Sequence, residues 1–206
     1  MKSAATIDWL TFTLKMVVDP VAVIKDFLAL DPDLFQSHDF GKFGYRRSMY
    51  FSGIFIYYDP AEGRKMEMGV CVSMTGVGCR TYEQHTRLTA AGTPLRALIE
   101  KIHITDMVHC TRLDLALDDK DKLLDLDRIA DCVESGCVNS RIRKRTIYRG
   151  YDGSDRSGTT VYIGAPSSDF RIRFYDKAKE KYKPDDERYY SHWVRLEMVM
   201  RGKNAD

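Results

Sequence analysis

Apolar and polar side chains alternate with a period of two in several short stretches, and this period predicts β-strands. The clearest stretch is Phe170–Asp176, in which Phe170, Ile172 and Phe174 share one face. The opposite face carries Arg171, Arg173 and Tyr175. One face is therefore expected in the core, while the other presents two guanidiniums beside a phenol.

Two more predicted strands combine an apolar face with a charged one. They are Val108–Asp118 and Ser191–Met200. Their charged faces carry Arg112, Asp114 and Asp118 on the first strand, and Arg195 and Glu197 on the second. Glu197 lies among apolar neighbours and needs a partner, because a buried charge without one is costly. The partner expected from the sequence is Arg112, a metal, or both.

The same kind of pattern predicts the other elements. The predicted strands and hairpin arms are Thr6–Leu14, Met49–Tyr58 paired with Lys65–Met74, Thr146–Arg149 and Thr160–Ile163. The predicted helices run from Asp19-Pro20 to about Leu30, from Arg80 to Leu88, from Thr93-Pro94 to about His103, and from Leu126 to Glu134.

Length and composition set broad limits on function. The 206 residues suffice for one large domain or two small halves, and 44% apolar with 30% charged residues is typical of a globular protein. The net charge of +2 does not by itself indicate a polyanionic partner. Ser140–Arg149, however, contains five cations and no acid, namely Arg141, Arg143, Lys144, Arg145 and Arg149. This basic strip predicts either a local anion site or a solvated face.

The cysteines favour a reducing cytoplasm. Their number is five, which is odd, and no C-x-x-C pair occurs, so neither a disulfide scaffold nor a zinc knuckle is expected. No apolar run approaches the ~20 residues that a membrane span requires.

Two motifs suggest anion or metal binding, and each has a simpler alternative. Asp114-x-Ala116-x-Asp118 places carboxylates side by side, and such oxygen ligands suit Mg²⁺ or Mn²⁺. The alternatives are a salt bridge from Asp114 to an arginine, and Asp118-Asp119 capping the next turn. The glycines of Gly76-Val77-Gly78 offer backbone amides to a phosphate or simply allow a tight strand-to-helix turn.

Tyr175 is a candidate nucleophile. Neighbouring guanidiniums favour the phenolate and would lower its pKa, although a strand tyrosine is more often an ordinary β residue. If the three polar-faced strands adjoin in one antiparallel sheet, their carboxylates, guanidiniums and phenol suit metal-assisted phosphodiester cleavage through a covalent tyrosine intermediate.

Four blocks in order resemble a known family. They are T-R-L-D-x-A-x-D-D, Y-I-G-x-x-x-S, R-F-Y-D-K-x-x-E and R-L-E-x-x-x-R-G, and the run G-x-G-C-R-x-Y-E at Gly76–Glu83 is also similar. The chain thereby resembles, from Ile7 to Gly202, the replication initiation factor (Rep-trans) family. Its members start rolling-circle replication of plasmids or act as relaxases of integrative and conjugative elements.

The resemblance implies a fold and an activity. The fold would be α/β (α+β), with a central, mostly antiparallel sheet and flanking helices, similar to the HUH nucleases. Tyr175 would nick one strand at a replication or transfer origin and leave a 5′-phosphotyrosine. Arg112, Arg173 and Arg195 would neutralise phosphate or orient carboxylates, and Asp114, Glu197 and Asp118 would hold Mg²⁺ or Mn²⁺. The basic strip, Arg171 and Lys177 would contact DNA.

Several expectations accompany this interpretation. The chain lacks the His-apolar-His pair of ordinary HUH enzymes, so acidic residues would replace it. Residues 1–206 are expected to form a single catalytic domain, a fragment if origin recognition lies elsewhere. Origin DNA, a helicase and a second copy are the expected partners, with no membrane. The alternatives are a non-catalytic origin-binding module and, less well matched, a tyrosine recombinase. Tyr189 and Tyr190 are the alternative nucleophiles.

Overall fold

The structure, a computed structural model, describes residues 5–17, 19–63, 68–89, 95–138, 142–153 and 155–205. The chain divides into two compact units. The N-terminal unit consists of Ile7–Leu113 with Arg201–Asp206, and the C-terminal unit consists of Asp114–Met200 with Met1–Thr6. Each unit is built on an antiparallel sheet.

The N-terminal unit contains strands β1 (Thr6–Leu14), β2 (Gln36–His38), β3 (Tyr45–Phe51), β4 (Ile54–Pro60), β5 (Val70–Thr75) and the first half of β6 (Val108–Asp119). Its helices are α1 (Pro20–Ala22), continued by a π-helical turn (Val23–Phe27), then α2 (Gly76–Thr89) and α3 (Leu95–Ile104), with 3₁₀ turns at Pro32–Leu34 and Gly202–Asn204. The strand order is β2-β3-β4-β5-β1-β6.

Helices α2 and α3 cover one face of this N-terminal sheet. Leu10 and Phe12 of β1 are fully buried in a cluster that includes Tyr82 of α2 and Leu98 of α3. Because side chains alternate along a strand, Thr11 lies on the opposite face. On that second face, Tyr45, Tyr57 and Cys71 form a small core cluster. Among the described residues, no member of this cluster lies in an α-helix.

The C-terminal unit contains the second half of β6, β7 (Arg145–Asp152), β8 (Asp155–Ile163), β9 (Phe170–Asp176) and β10 (Val194–Arg201). Its helices are α4 (Leu126–Glu134), α5 (Lys177–Lys181) and a 3₁₀ turn at Glu187–Tyr190. The strand order is β6-β10-β9-β8-β7. Ala130 and Val133 of α4 pack on Val161 of β8, with Phe174 of β9 alongside.

The strands predicted as Thr6–Leu14 and Phe170–Asp176 and the helix predicted as Leu126–Glu134 are confirmed with their bounds. The single strand predicted over Met49–Tyr58 is wrong, because the chain turns at Ser52-Gly53, where φ is 39° and 87°. β3 and β4 form a hairpin across that turn, and the predicted second arm pairs with β4 as β5. Residues 64–67, which include the predicted start of the second arm, lie outside the described residues.

Two helices differ from prediction in their bounds. The helix predicted to reach about Leu30 ends at Phe27, with Leu28 as its C-cap, because Ala29 adopts a φ of 55°. α2 begins at Gly76 rather than Arg80. The predicted start at Thr93-Pro94 lies outside the described residues, and α3 is described from Leu95.

The junction between β5 and α2 is tightly packed. A Cβ on Gly78 would lie 2.2 Å from the carbonyl oxygen of Gly53, and one on Gly76 would lie 2.7 Å from an Asp8 carboxylate oxygen. Thr75 Oγ1 accepts the Gly78 N–H at 3.3 Å. The contacts support the tight-turn interpretation of these glycines over a phosphate-binding loop.

The predicted α+β fold, antiparallel sheet with helices against it, is confirmed. The prediction that residues 1–206 act as a single catalytic domain stays a prediction. In the parts of the chain given above, no helix is long and apolar enough to cross a membrane.

Candidate active site

A row of polar side chains crosses three adjacent strands of the C-terminal unit. In the pairing of β9 with β10, Tyr175 faces Arg195 and Arg173 faces Glu197. In the pairing of β9 with β8, Arg173 also faces Tyr162. These positions alternate with the apolar ones that pack on α4, so the row lies on the opposite face. The register thus brings together the phenol, two arginines and a carboxylate that the sequence singled out.

Two guanidinium–carboxylate pairs hold this row. Arg195 donates from Nε and Nη2 to the two oxygens of Asp118 at 2.7 and 2.8 Å, and Arg173 donates to Glu197. Burial acts to raise the pKa of Asp118, but the hydrogen bonds from Arg195, the neighbouring Trp193 side chain and the positive charges of Arg195 and Lys177 together outweigh it and hold that pKa below its usual value. Because Arg195 and Glu197 are buried, the two pairs hold the charges of these side chains in fixed positions.

Tyr175 lies at the centre of the row and is only 4% exposed. The guanidinium carbon of Arg173 is 4.3 Å from its ring centre, and the ammonium of Lys177 is 5.5 Å away. Within the described residues, the Tyr175 hydroxyl makes no hydrogen bond. An incoming phosphate would therefore not have to displace a protein hydrogen-bond partner of this hydroxyl.

The predicted lowering of the Tyr175 pKa is wrong. Burial raises the pKa of this phenol above its ordinary value, and the negative charge of Glu197 raises it further. Arg173 and Arg195 act in the predicted direction, but their effect is smaller. The phenol is consequently neutral near pH 7.

The side-chain partner of Glu197 also differs from prediction. It is Arg173, directly opposite on β9, rather than Arg112. Arg112 belongs to the N-terminal unit, where its guanidinium lies 4.2 Å from the Trp9 ring centre. Its predicted catalytic role stays a prediction.

Asp119 stabilises the loop after β6, as the capping alternative anticipated for Asp118-Asp119. Its carboxylate accepts the N–H groups of Asp121 and Leu124 at 3.0 and 2.6 Å. Its other contact, His192 Nε2 at 3.2 Å, was not anticipated from the sequence. The only signal for it was a histidine at the start of the predicted strand Ser191–Met200.

Two family models match consecutive parts of the chain. The model described as the rolling circle replication initiation protein N-terminal domain matches residues 4–94, and the model described as replication initiation factor matches residues 108–206. Together these two matches cover most of the chain. The chain belongs to the family of rolling-circle replication initiators and relaxases.

Relatives of this family member are known by sequence and by structure. A relative named for DNA relaxase activity, NicK of Bacillus subtilis (strain 168), is 27% identical over 196 residues, which cover 89% of this chain and 51% of the relative. The chain thus spans about half the length of this curated relative. The structure of a rolling circle replication initiator protein from Geobacillus stearothermophilus aligns with a TM-score of 0.80 at 29% identity, over 98% of this chain and 75% of that one.

The carboxylates of this initiation-factor chain do not form a ready metal site. The predicted ligands Asp118 and Glu197 are each bound by an arginine, and the third, Asp114, is 1% exposed. In the described ranges, no three His, Cys, Asp or Glu side chains form a group able to hold a metal ion. As placed, the donor set does not fit a three-ligand Mg²⁺ or Mn²⁺ site, and the predicted ligands stay a prediction.

The predicted DNA contacts have different environments. Arg143 and Lys144 are exposed, whereas Arg145 donates to the Val138 carbonyl at 2.6 Å. Arg149 pairs with Glu134 and lies 3.9 Å from Asp131. Arg141 lies outside the described residues.

Two predicted contacts adjoin the polar row itself. Arg171 lies over Tyr162, 3.8 Å from its ring centre, and its buried Nε has no hydrogen-bond partner among the described residues. Lys177 pairs with Glu180 at 2.6 Å. As placed, the Arg171 Nε is enclosed by protein atoms and is not accessible to a phosphate oxygen.

Proposed function

We propose that the protein nicks one strand of origin DNA with Tyr175 and can rejoin that strand. One observation supports this most directly: Tyr175 lies across from Arg195 and beside Arg173, with its hydroxyl unused by the described residues. Membership in a family of replication initiation factors makes origin DNA the substrate this arrangement best suits.

In the proposed step, the Tyr175 oxygen attacks the scissile phosphorus. A tyrosine O–P bond forms and the P–O3′ bond breaks, which leaves a 5′-phosphotyrosine and a 3′ oxygen. The phenol loses one proton, and the leaving oxygen takes up one to become a hydroxyl. Because one phosphodiester replaces another, the reverse attack by the 3′-hydroxyl rejoins the strand.

The arginines supply the electrostatic part of this chemistry. Arg195 and Arg173 are fixed by their carboxylate partners beside Tyr175, so they need little reorganisation to stabilise charge on the phosphate oxygens. Arg171 adds a further positive charge on the same face of β9. A requirement for Mg²⁺ or Mn²⁺, a helicase partner, a homodimer and a cytoplasmic location stay predictions.

The test is formation of a covalent protein–DNA adduct. Single-stranded oligonucleotides from candidate origins are incubated with the protein and Mn²⁺, with and without EDTA. We expect Tyr175→Phe to abolish the adduct because the attacking oxygen is gone, while Tyr189→Phe and Tyr190→Phe retain it. An adduct formed by Tyr175→Phe would rule out this nucleophile.

A non-catalytic origin-binding module is the second candidate. Two observations favour it: the raised pKa of Tyr175 and the absence of a three-ligand metal group in the described part of the chain. It predicts sequence-specific binding without any adduct in Mn²⁺ and no effect of EDTA on binding.

A further inference from the structure

The N-terminal unit contains a cavity of about 660 Å³ on the sheet face opposite α2 and α3. Its volume is in the range that binds nucleotide-sized ligands. Trp9, Thr11 and Tyr45 form part of its wall, with Phe43 and Arg112 alongside. No step of the proposed nicking chemistry uses it, so its chemistry needs a separate account.

The lining combines flat apolar groups with hydrogen-bonding and cationic ones. The Arg112 guanidinium lies 4.2 Å from the Trp9 ring centre, so a planar cation and an aromatic ring form one stack. Lys15 and Arg201 add positive charge, and the described lining residues include no Asp or Glu. Aromatic rings and guanidinium planes are the surfaces on which unpaired bases stack, while cations attract the phosphates beside them.

Phe43 gives this cavity an exposed aromatic edge. Its side chain is 60% exposed, although its ring also packs edge-on against Tyr57, with 5.4 Å between the ring centres. The backbone holds it at a φ of 59°, a conformation that bulky residues rarely adopt, with Gly44 following at 88°. Such a residue, held strained and mostly in solvent, is more typical of a binding site than of a core.

We propose that this cavity takes up one unpaired nucleobase of the DNA strand, stacked against Phe43 and the Trp9–Arg112 pair. The charge of the lining favours a nucleotide over an apolar peptide or lipid. The inference rests on the proposed function in that the ligand is a single DNA strand. It adds a base-binding site in the unit that does not contain Tyr175.

Binding to two chemically matched strands tests the base itself. One is a fluorescently labelled 12-mer of thymidine, and the other is a 12-mer with the same phosphates but without bases. We expect Phe43→Ala to weaken binding of the thymidine strand about tenfold, the effect of one lost stacked base, and to leave the baseless strand within about twofold. Phe43→Tyr should restore the affinity.

Phe40→Ala is the matched control, because Phe40 is 61% exposed in the same loop but does not line the cavity. It should leave both affinities within about twofold. Equal losses for both strands with Phe43→Ala, or no loss for either, would overturn the inference.

A second readout locates the base. The chain contains two tryptophans, so a Trp193→Phe protein, its fold checked by circular dichroism, reports emission from Trp9 alone. Emission should change saturably with the thymidine strand and not with inorganic phosphate; no response to the strand contradicts a base beside Trp9. The adduct assay is separate, since a protein that forms adducts but shows no Phe43 effect refutes only the base site. Conversely, a base effect without adducts refutes only the proposed nicking.

Discussion

Opposing effects act on the pKa of Tyr175. Two arginines favour its phenolate, yet burial and the charge of Glu197 favour the neutral phenol more, and its pKa rises. The same burial removes water that would compete with an incoming phosphate. In the proposed reaction, such a buried, neutral phenol would attack only after its proton is removed.

We predict that the proposed nicking rate increases with pH. Since the pKa of Tyr175 is raised above its ordinary value of about 10, the phenolate fraction grows roughly tenfold per unit between about pH 7 and 9. Glu197→Gln removes a charge that raises this pKa, so it should increase the rate at a given pH in that range. Single-turnover rates of adduct formation at several pH values measure both effects.

The same variant separates two roles of Glu197. If Glu197 is a metal ligand, Glu197→Gln abolishes nicking in Mg²⁺ instead of accelerating it. A pH-independent wild-type rate would indicate that deprotonation of Tyr175 is not part of the slow step.

At the scale of elements, the junction of β5 with α2 fixes the start of that helix. Gly78 lies in the first helical turn, with the Gly53 carbonyl where a side chain would be. Ordinary helix propensity would favour alanine here by about 1 kcal/mol. A backbone contact at 2.2 Å is far inside van der Waals distance, so steric exclusion outweighs propensity.

Gly78→Ala is accordingly expected to destabilise the protein by about 1–3 kcal/mol, the range for an overpacked site. Gly158→Ala is the control, because a Cβ there meets nothing within 4 Å, and it should change stability by less than about 1 kcal/mol. Urea unfolding followed by circular dichroism measures both. A Gly78→Ala protein more stable than wild type would show that the turn at Gly53 and the start of α2 move apart easily.

The sequence predicted those elements whose local pattern was unambiguous. β9 alternates regularly, so the face shared by Tyr175 and Arg173 was predictable. The β3–β4 hairpin was missed because apolar residues continue through Ser52-Gly53 and hide the turn. The pairing of Glu197 with Arg173 depends on which strands adjoin and in what register, and neither is encoded by the period of a single strand. The sign of the Tyr175 pKa shift depends on burial, which only the packed structure provides.

At the scale of the whole molecule, the net charge of +2 cannot hold DNA by itself. Affinity must come from cations that are locally available, and the basic strip is not uniform in this respect. Arg143 is exposed, while Arg149 is already paired with Glu134. A side-chain cation that neutralises a phosphate releases counterions from the DNA and so contributes to affinity. A cation already paired with a carboxylate of the protein contributes less.

We therefore predict different salt dependences for two variants. Arg143→Ala should reduce the slope of log affinity against log salt by about 0.7 for a single-stranded oligonucleotide, and Arg149→Ala should reduce it by less. Fluorescence anisotropy at several salt concentrations gives the slopes. Equal slopes for wild type and Arg143→Ala would remove the exposed part of the strip from the DNA path.

The depth of the Tyr175 side chain also limits the shape of any substrate. Because its ring is almost wholly enclosed and lies on strand β9 rather than on a loop, the proposed reaction requires the scissile linkage to reach into the sheet face. A double helix is too wide and stiff for such a descent, whereas a lone strand can bend inward. Fully paired origin fragments should accordingly resist cutting until the target segment is pulled open, and a frayed or bubble-containing fragment should be cut without that step.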